Sequence, residues 1–135
     1  MKAISDSLEL NTELDLASYT ISENLFYSDL REAIVNYYNG KLTKYTLWDF
    51  SKSNLASFVS GVEARELAAL VTKLGVARPA GSVDLIVVSG VLQYGVARMY
   101  TAYADVVRHD SALLKVLVFR DKSQALEWLR NNETK

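Results

Sequence analysis

The chain has 135 residues, half of them apolar, and its 15 basic and 16 acidic side chains leave a formal net charge of −1. This length suits one domain with its own hydrophobic core, and the apolar content excludes disorder over most of the chain. The balanced charge argues against a nucleic-acid binder, which normally carries a concentrated basic face. Because there is no cysteine, disulfides, thiol catalysis and thiolate metal sites are excluded as well. The single histidine leaves few ligands for any other zinc site.

The N-terminal residues contain no apolar run resembling a secretory signal, and no apolar segment approaches the ~20 residues needed to cross a bilayer. We therefore expect a soluble cytoplasmic protein without a metal or other cofactor.

Residues 4–10 and 14–21 alternate loosely between apolar and polar side chains, with a turn at residues 11–12. This pattern predicts a β-hairpin. Its first strand lies at a sheet edge, unless residues 1–12 stay flexible.

A helix and a strand follow the hairpin. Ser28 is placed to cap a helix with one apolar stripe, and Gly40 ends that helix. Residues 45–50 form a compact β-rich run. Since a helix separates this run from the preceding strand, we expect a right-handed crossover to a parallel neighbour.

The middle of the chain predicts a polar loop and a second helix. Residues 51–58 are mostly polar, and Ser60 stands three residues before Glu63 with the spacing of a capping box. Apolar residues then recur at helical intervals until Gly75.

The second half alternates between apolar strands and helices. Strand-like runs occupy residues 83–88 and 113–119, and a helical pattern covers about 91–108 between them. Asp121 opens a last helix in a second capping-box-like arrangement, and residues 131–135 form a polar tail.

This order of elements predicts an α/β fold in a single domain of residues 1–135. A five-stranded mixed, mostly parallel sheet is flanked by about four helices, which can cover both of its faces. The near-continuous apolar runs suit central parallel strands that are buried on both sides.

Four segments carry a resemblance to a known family: Leu47-Trp-Asp-Phe50, Tyr94-Gly-Val-Ala-Arg-Met-Tyr100, Val118-Phe-Arg-Asp121 and Ala125-Leu-Glu-Trp-Leu129. With its elements in this order, the chain resembles small bacterial STAS-like proteins, related in fold to anti-sigma-factor antagonists and SEC14-like domains. The resemblance spans residues 14–129 and includes no catalytic motif. It implies a STAS-like fold with a regulatory or protein-interaction role.

The better understood anti-sigma antagonists carry an Asp-Ser pair after the third strand, where a partner kinase phosphorylates the serine. Counting on from Asp49, that pair would fall at Ser57 and Phe58, so the phosphoacceptor position is not preserved. Ser60 could occupy the position of the phosphorylated serine only if the loop is one residue longer. This departure from the family's pattern argues against a phosphorylation switch and leaves Ser60 as the alternative position.

Ligands of open α/β sheets gather at the carboxyl ends of the strands. The candidate ligand-binding or partner-binding residues at or near these ends are Asp49, Ser51, Ser60, Ser89, Gly90, Tyr94, Arg98, Tyr100 and Arg120. The helix after Gly90 offers backbone N–H groups to an anion, with Arg98 or Arg120 adding charge. The structural alternative, which we favour, is that Ser89 caps this helix and Gly90 permits a tight turn.

Two apparent motifs fail. Gly90 and Gly95 have the outer spacing of a phosphate-binding loop, but Val96 and Ala97 stand where lysine and a hydroxyl residue are required. Gly95 is therefore expected to let its helix lie close to a neighbour. His109 is followed by Asp and Ser, but residues adjacent in sequence do not form a triad.

Eight tyrosines are many for this length. Five lie on predicted helices: Tyr37, Tyr38, Tyr94, Tyr100 and Tyr103. Such residues edge a core more often than they line an apolar cavity or a partner surface, although tyrosine suits both roles.

The preferred function is a non-enzymatic regulatory or protein-interaction module. The alternative is a carrier or sensor of an apolar small molecule, of the SEC14-like type. A third hypothesis is an enzyme that uses Asp49 with Ser51, Arg98 or Arg120 around an anionic substrate. A lone acid is weak support for it, since Asp49 can instead cap the loop that follows.

We also predict a homodimer. An edge strand at residues 4–10 invites pairing, and Tyr100 falls off the apolar stripe of its helix, so its ring is expected at a flank or at the surface. The contact would involve helix 92–107 or the hairpin edge.

Overall fold

A computed structural model describes residues 4–21, 26–53, 61–107 and 114–133. The strands are β1 (Glu9–Asn11), β2 (Leu16–Thr20), β3 (Tyr45–Asp49), β4 (Ser82–Val87) and β5 (Leu114–Phe119). The helices are α1 (Tyr27–Asn39), α2 (Gly61–Gly75), α3 (Val91–Val107) and α4 (Lys122–Glu133), and a short 3₁₀ helix covers Ile4–Ser7. The predicted α/β fold with a five-stranded, mostly parallel sheet is confirmed.

The strands lie in the order β1-β2-β3-β4-β5. β1 pairs antiparallel with β2, and every later pair is parallel. The register places Tyr45 of β3 opposite Leu16 on one side and Val83 on the other. Because each crossover moves the chain one strand further in the same direction, right-handed connections put α1, α2 and α3 on the same face of the sheet.

The two faces of the sheet bury different side chains, because successive residues of a strand point to opposite sides. On the face covered by α1, α2 and α3, the rings of Tyr19 and Trp48 stack with centroids 4.2 Å apart. On the other face, Ala125 and Leu129 of α4 pack against the central strands. β3 and β4 are buried along their whole length, as their apolar sequences predict.

The hairpin is confirmed, but its first strand is shorter than the predicted residues 4–10. The Ser7 hydroxyl donates to the carbonyl of Ile4 at 2.7 Å and accepts the N–H of Thr20 at 3.0 Å. These local side-chain bonds favour a turn over an extended strand, so pairing is limited to Glu9–Asn11. The predicted turn at 11–12 occupies residues 12–15.

The helix ends agree only partly with the predicted caps. The prediction that Ser28 caps α1 is wrong: the N-cap is Phe26, which makes no side-chain capping bond, and Ser28 lies within the first turn. The Asp121 cap is confirmed, since its Oδ1 accepts the N–H of Gln124 at 2.8 Å and the hydroxyl of Ser123 at 2.6 Å. Ser60 lies outside the described residues.

The predicted polar tail at residues 131–135 is helical as far as Glu133, where α4 ends. The other predicted elements agree within a residue or two where the structure describes them. Residues 54–58 of the predicted loop, His109, and the outer ends of the predicted 91–108 helix and 113–119 strand lie outside the described ranges. Within those ranges no helix is long and apolar enough to cross a bilayer.

Candidate functional site

Asp49 ends β3 and is nearly buried. Its Oδ1 accepts two hydrogen bonds from Ser51, one from the backbone N–H at 3.0 Å and one from the hydroxyl at 2.6 Å. The carboxylate therefore caps the turn after the strand. This geometry supports the structural alternative for Asp49 over a role as a catalytic base.

The loops after β3 and β4 are tied together. The Ser89 hydroxyl donates to the carbonyl of Ser51 at 2.8 Å, and its backbone N–H donates to Oε1 of Gln93 at 3.0 Å. The Gln93 amide in turn donates to the carbonyl of Ser53 at 2.5 Å. The predicted side-chain cap by Ser89 is therefore wrong, because its hydroxyl crosses to the neighbouring loop.

Gly90 has the positive φ of +80° that the predicted tight turn requires. At the end of the next strand, the guanidinium of Arg120 lies 4.5 Å from the ring centroid of Tyr94, a cation–π contact. Arg98 is exposed one helical turn further along α3. The carboxyl edge of the sheet thus holds six of the nine candidate residues: Asp49, Ser51, Ser89, Gly90, Tyr94 and Arg120.

Exposed apolar side chains surround the same edge. α1, α2 and α3 run back along the strands that they connect, so their first residues lie at the carboxyl ends of the strands. Phe26, Val62 and Val91 stand at these three helix starts and are 47%, 67% and 81% exposed. Val76, which follows α2 at the opposite end, is 67% exposed. We call the residues Phe26, Val62 and Val91 the apolar edge.

A second feature is a partly open cavity of about 70 Å³ between the sheet and the three helices. Its lining is mostly apolar and includes Leu67 of α2, Ile86 of β4 and the rings of Trp48 and Tyr100. Tyr100 agrees in part with its prediction: its side chain stays partly exposed, and it also packs against the core and lines this cavity. The side chain of Tyr103 lies outside the part of the chain that the structure describes.

The cavity has one strongly polar wall. Asp84, from the centre of the buried strand β4, pairs with Arg78, and the two side chains are 9% and 0% exposed. The Thr46 hydroxyl donates to Oδ1 of Asp84 at 2.5 Å, and Nε1–H of Trp48 donates to the Thr46 oxygen at 3.0 Å. Asp84, Thr46 and Trp48 all line the cavity.

Burial and the charge of Asp84 shift the pKa values of Arg78 and Tyr38. Burial alone would lower the pKa of Arg78, but the charge of Asp84, with smaller effects from Tyr37 and Tyr38, raises it above its usual value. Burial raises the pKa of the Tyr38 phenol far above its ordinary range, and the charge of Asp84 raises it further. The raised pKa keeps the Arg78 guanidinium charged across the physiological range, opposite the Asp84 carboxylate of the ion pair.

The sequence prediction did not single out Arg78, Asp84 or Gln93. A signal was present for the ion pair: Asp84 interrupts an apolar run that must be buried on both faces, and such an acid needs a partner. Gln93 gave no comparable signal, because a glutamine in the first turn of a helix is commonly exposed.

Among the residues that the structure describes, no group of three His, Cys, Asp or Glu side chains could hold a metal ion. Comparisons of the chain with models of known protein families, with curated proteins and with solved structures found no match. The STAS-like resemblance therefore stays a prediction.

Proposed function

We propose that this chain is a non-enzymatic regulatory or protein-interaction module of STAS-like fold, acting in the cytoplasm, which binds a protein partner at the carboxyl edge of its sheet. The apolar edge carries the proposal. Three large apolar side chains stand exposed at three successive helix starts, where burial against a partner would remove them from water. The observed order of strands and helices is compatible with the STAS-like fold.

The polar groups of the same edge support a binding role over a catalytic one. Asp49 is committed to Ser51, and the Ser89 hydroxyl is committed to the next loop. An enzyme needs a nucleophile or base aimed at a substrate position, whereas these bonds join residues 51–53 after β3 to residues 89–93 after β4. Polar groups that are already hydrogen-bonded to one another, beside exposed apolar side chains, suit a preorganised interface.

The test uses two valines at opposite ends of α2. Val62 and Val76 are both 67% exposed, so Val62→Asp and Val76→Asp add the same charge at equal exposure. Cells producing each full-length variant with an affinity tag would be treated with a cross-linker, and the attached proteins quantified by mass spectrometry.

We expect a partner that the wild type and Val76→Asp recover equally and that Val62→Asp loses by roughly tenfold or more, since a hot-spot residue contributes at least about 1–2 kcal/mol. Recovery that is equal for all three proteins, or no enriched partner with the wild type, would contradict the proposal. Circular dichroism confirms that both variants keep the fold.

The cavity bears on the alternative function, a carrier or sensor of an apolar small molecule. The volume of about 70 Å³ is well below the ~300 Å³ at which ordinary ligand pockets begin. The structure therefore gives no support to a carrier that encloses a lipid-sized apolar ligand.

A further inference from the structure

We infer that the cavity between the sheet and helices α1–α3 is a binding site for a small neutral molecule with a hydroxyl group, which donates a hydrogen bond to the second carboxylate oxygen of Asp84. This site is separate from the apolar edge, and the inference does not depend on the proposed partner.

The first support is the state of the Asp84 carboxylate. Its Oδ1 accepts hydrogen bonds from Arg78 and from Thr46. None of the residues that the structure describes donates a hydrogen bond to Oδ2. An ionised carboxylate can accept about four hydrogen bonds, and a side chain that is only 9% exposed has little access to bulk water. Asp84 therefore brings an unused acceptor to the lining of a mostly apolar cavity, which also includes Thr46.

The second support is charge. The guanidinium of Arg78 already balances Asp84, and it also donates to the carbonyls of Thr43 and Lys44 at 3.3 and 3.0 Å. A cationic ligand would bring an unbalanced charge into a buried site, and an anionic ligand would be repelled by the carboxylate. A neutral O–H donor satisfies the acceptor without adding charge.

The third support is size and lining. The volume of about 70 Å³ is roughly half that of an engineered cavity of about 150 Å³ that encloses benzene. Since this cavity is partly open, it fits the hydroxyl-bearing end of a small ring, and the far side of the ring stays at the opening. The rings of Trp48 and Tyr100 provide the kind of surface on which an aromatic ring packs.

Phenol and toluene are the matched probes, because they have equal numbers of heavy atoms and differ by a hydroxyl in place of a methyl group. Binding to the full chain would be followed by two-dimensional NMR, with shifts expected at Trp48 and not at Trp128, which packs on the other face. We expect saturable phenol binding with a Kd at or below about 1 mM. Toluene should bind roughly tenfold more weakly, since it cannot make a hydrogen bond to a charged acceptor.

Two variants test the site itself. Ala97 lines the cavity, whereas Ala125 is buried on the opposite face of the sheet. Ala97→Val should weaken phenol binding roughly fivefold or more by filling space, and Ala125→Val should leave it unchanged. The double variant Arg78→Met with Asp84→Leu replaces the ion pair by apolar groups, and it should bind phenol and toluene with equal affinity.

Absence of saturable phenol binding to the wild type would overturn the inference. Equal affinity for phenol and toluene in the wild type would do the same, as would a preference for phenol that survives in the double variant. Val62→Asp, which tests the apolar edge, should leave phenol binding intact, so failure of one proposal is distinguishable from failure of the other.

Discussion

Arg78 and Asp84 form an ion pair inside the fold, with Arg78 in the segment after α2 and Asp84 at the third residue of the central strand β4. The guanidinium also donates to two carbonyls in the segment that leads into β3. One side chain thus fastens the end of a helix to the beginnings of two neighbouring strands.

The first prediction concerns this pair. Asp84→Asn leaves the Arg78 charge buried without its counter-ion, and it should lower the free energy of unfolding by about 3–5 kcal/mol. Urea denaturation measures the change. The double variant Arg78→Met with Asp84→Leu is the control and should stay within about 1–2 kcal/mol of the wild type, because an apolar pair carries no desolvation cost. An Asp84→Asn variant as stable as the wild type would show that the charge of Asp84 does not balance that of Arg78.

The second prediction compares two glycines of one segment. Gly90 has a φ of +80°, whereas Gly95 lies within α3, and a Cβ built on either would meet nothing within 4 Å. Gly90→Ala should therefore lower the free energy of unfolding by about 1–2 kcal/mol through backbone strain alone. Gly95→Ala should raise it by about 0.5–1 kcal/mol, because alanine favours the helix. Thermal or urea unfolding of the two variants should show opposite signs.

The third prediction is a pH dependence at the start of α4. Hydrogen bonds from the Ser123 hydroxyl and the Gln124 N–H lower the pKa of Asp121 below its ordinary value. A depressed pKa in the folded state means that the cap stabilises the protein above the unfolded-state pKa of ~3.9 and loses this effect as the pH falls through the folded-state pKa. Asp121→Ala should unfold at lower urea than the wild type at pH 7, and the difference should shrink steadily in acid.

Asp121→Asn separates the charge of the cap from its shape. Asparagine caps helices well but does not titrate. The difference between the urea midpoints of Asp121→Asn and Asp121→Ala should therefore not change with pH. A wild-type advantage that persists unchanged at the lowest pH would rule out the carboxylate as its source.

The fourth prediction is the homodimer. Light scattering at micromolar concentration should give a mass near twice that of the 15.1 kDa chain, and a mass near one chain would refute self-association. Leu10 of β1 is more than half exposed, so Leu10→Lys should produce monomers if the hairpin edge is the contact. A dimer that survives this change would place the contact on helix α3.

The order of the elements could be predicted because the buried strands and the amphipathic helices differ in the period of their apolar residues. Three glycines also have the expected places: Gly40 and Gly75 end helices, and Gly90 makes a turn. Each of these features depends on a short stretch of chain, so the local sequence contains the necessary information.

The failures concern contacts between distant elements. Gly95 was expected to bring α3 close to a neighbour, but the space beside it is open. Helical periodicity gives the direction of a side chain around its own axis, yet it says nothing of which element lies there. For the same reason the sequence did not show that Tyr100 lines a cavity between the sheet and three helices. The pairing of Asp84 with Arg78 likewise depends on the path of the segment after α2, which helical periodicity does not give.

The uneven cover of the sheet has a consequence for synthesis on the ribosome. Helices α1, α2 and α3 alternate with the strands along the chain, so their face can close as each unit emerges. α4 follows all five strands, and until it emerges the opposite side chains, Leu47, Leu85 and Val87, have no helix to cover them. The nascent chain thus exposes an apolar surface until α4 has emerged, and stalling before that point would favour aggregation.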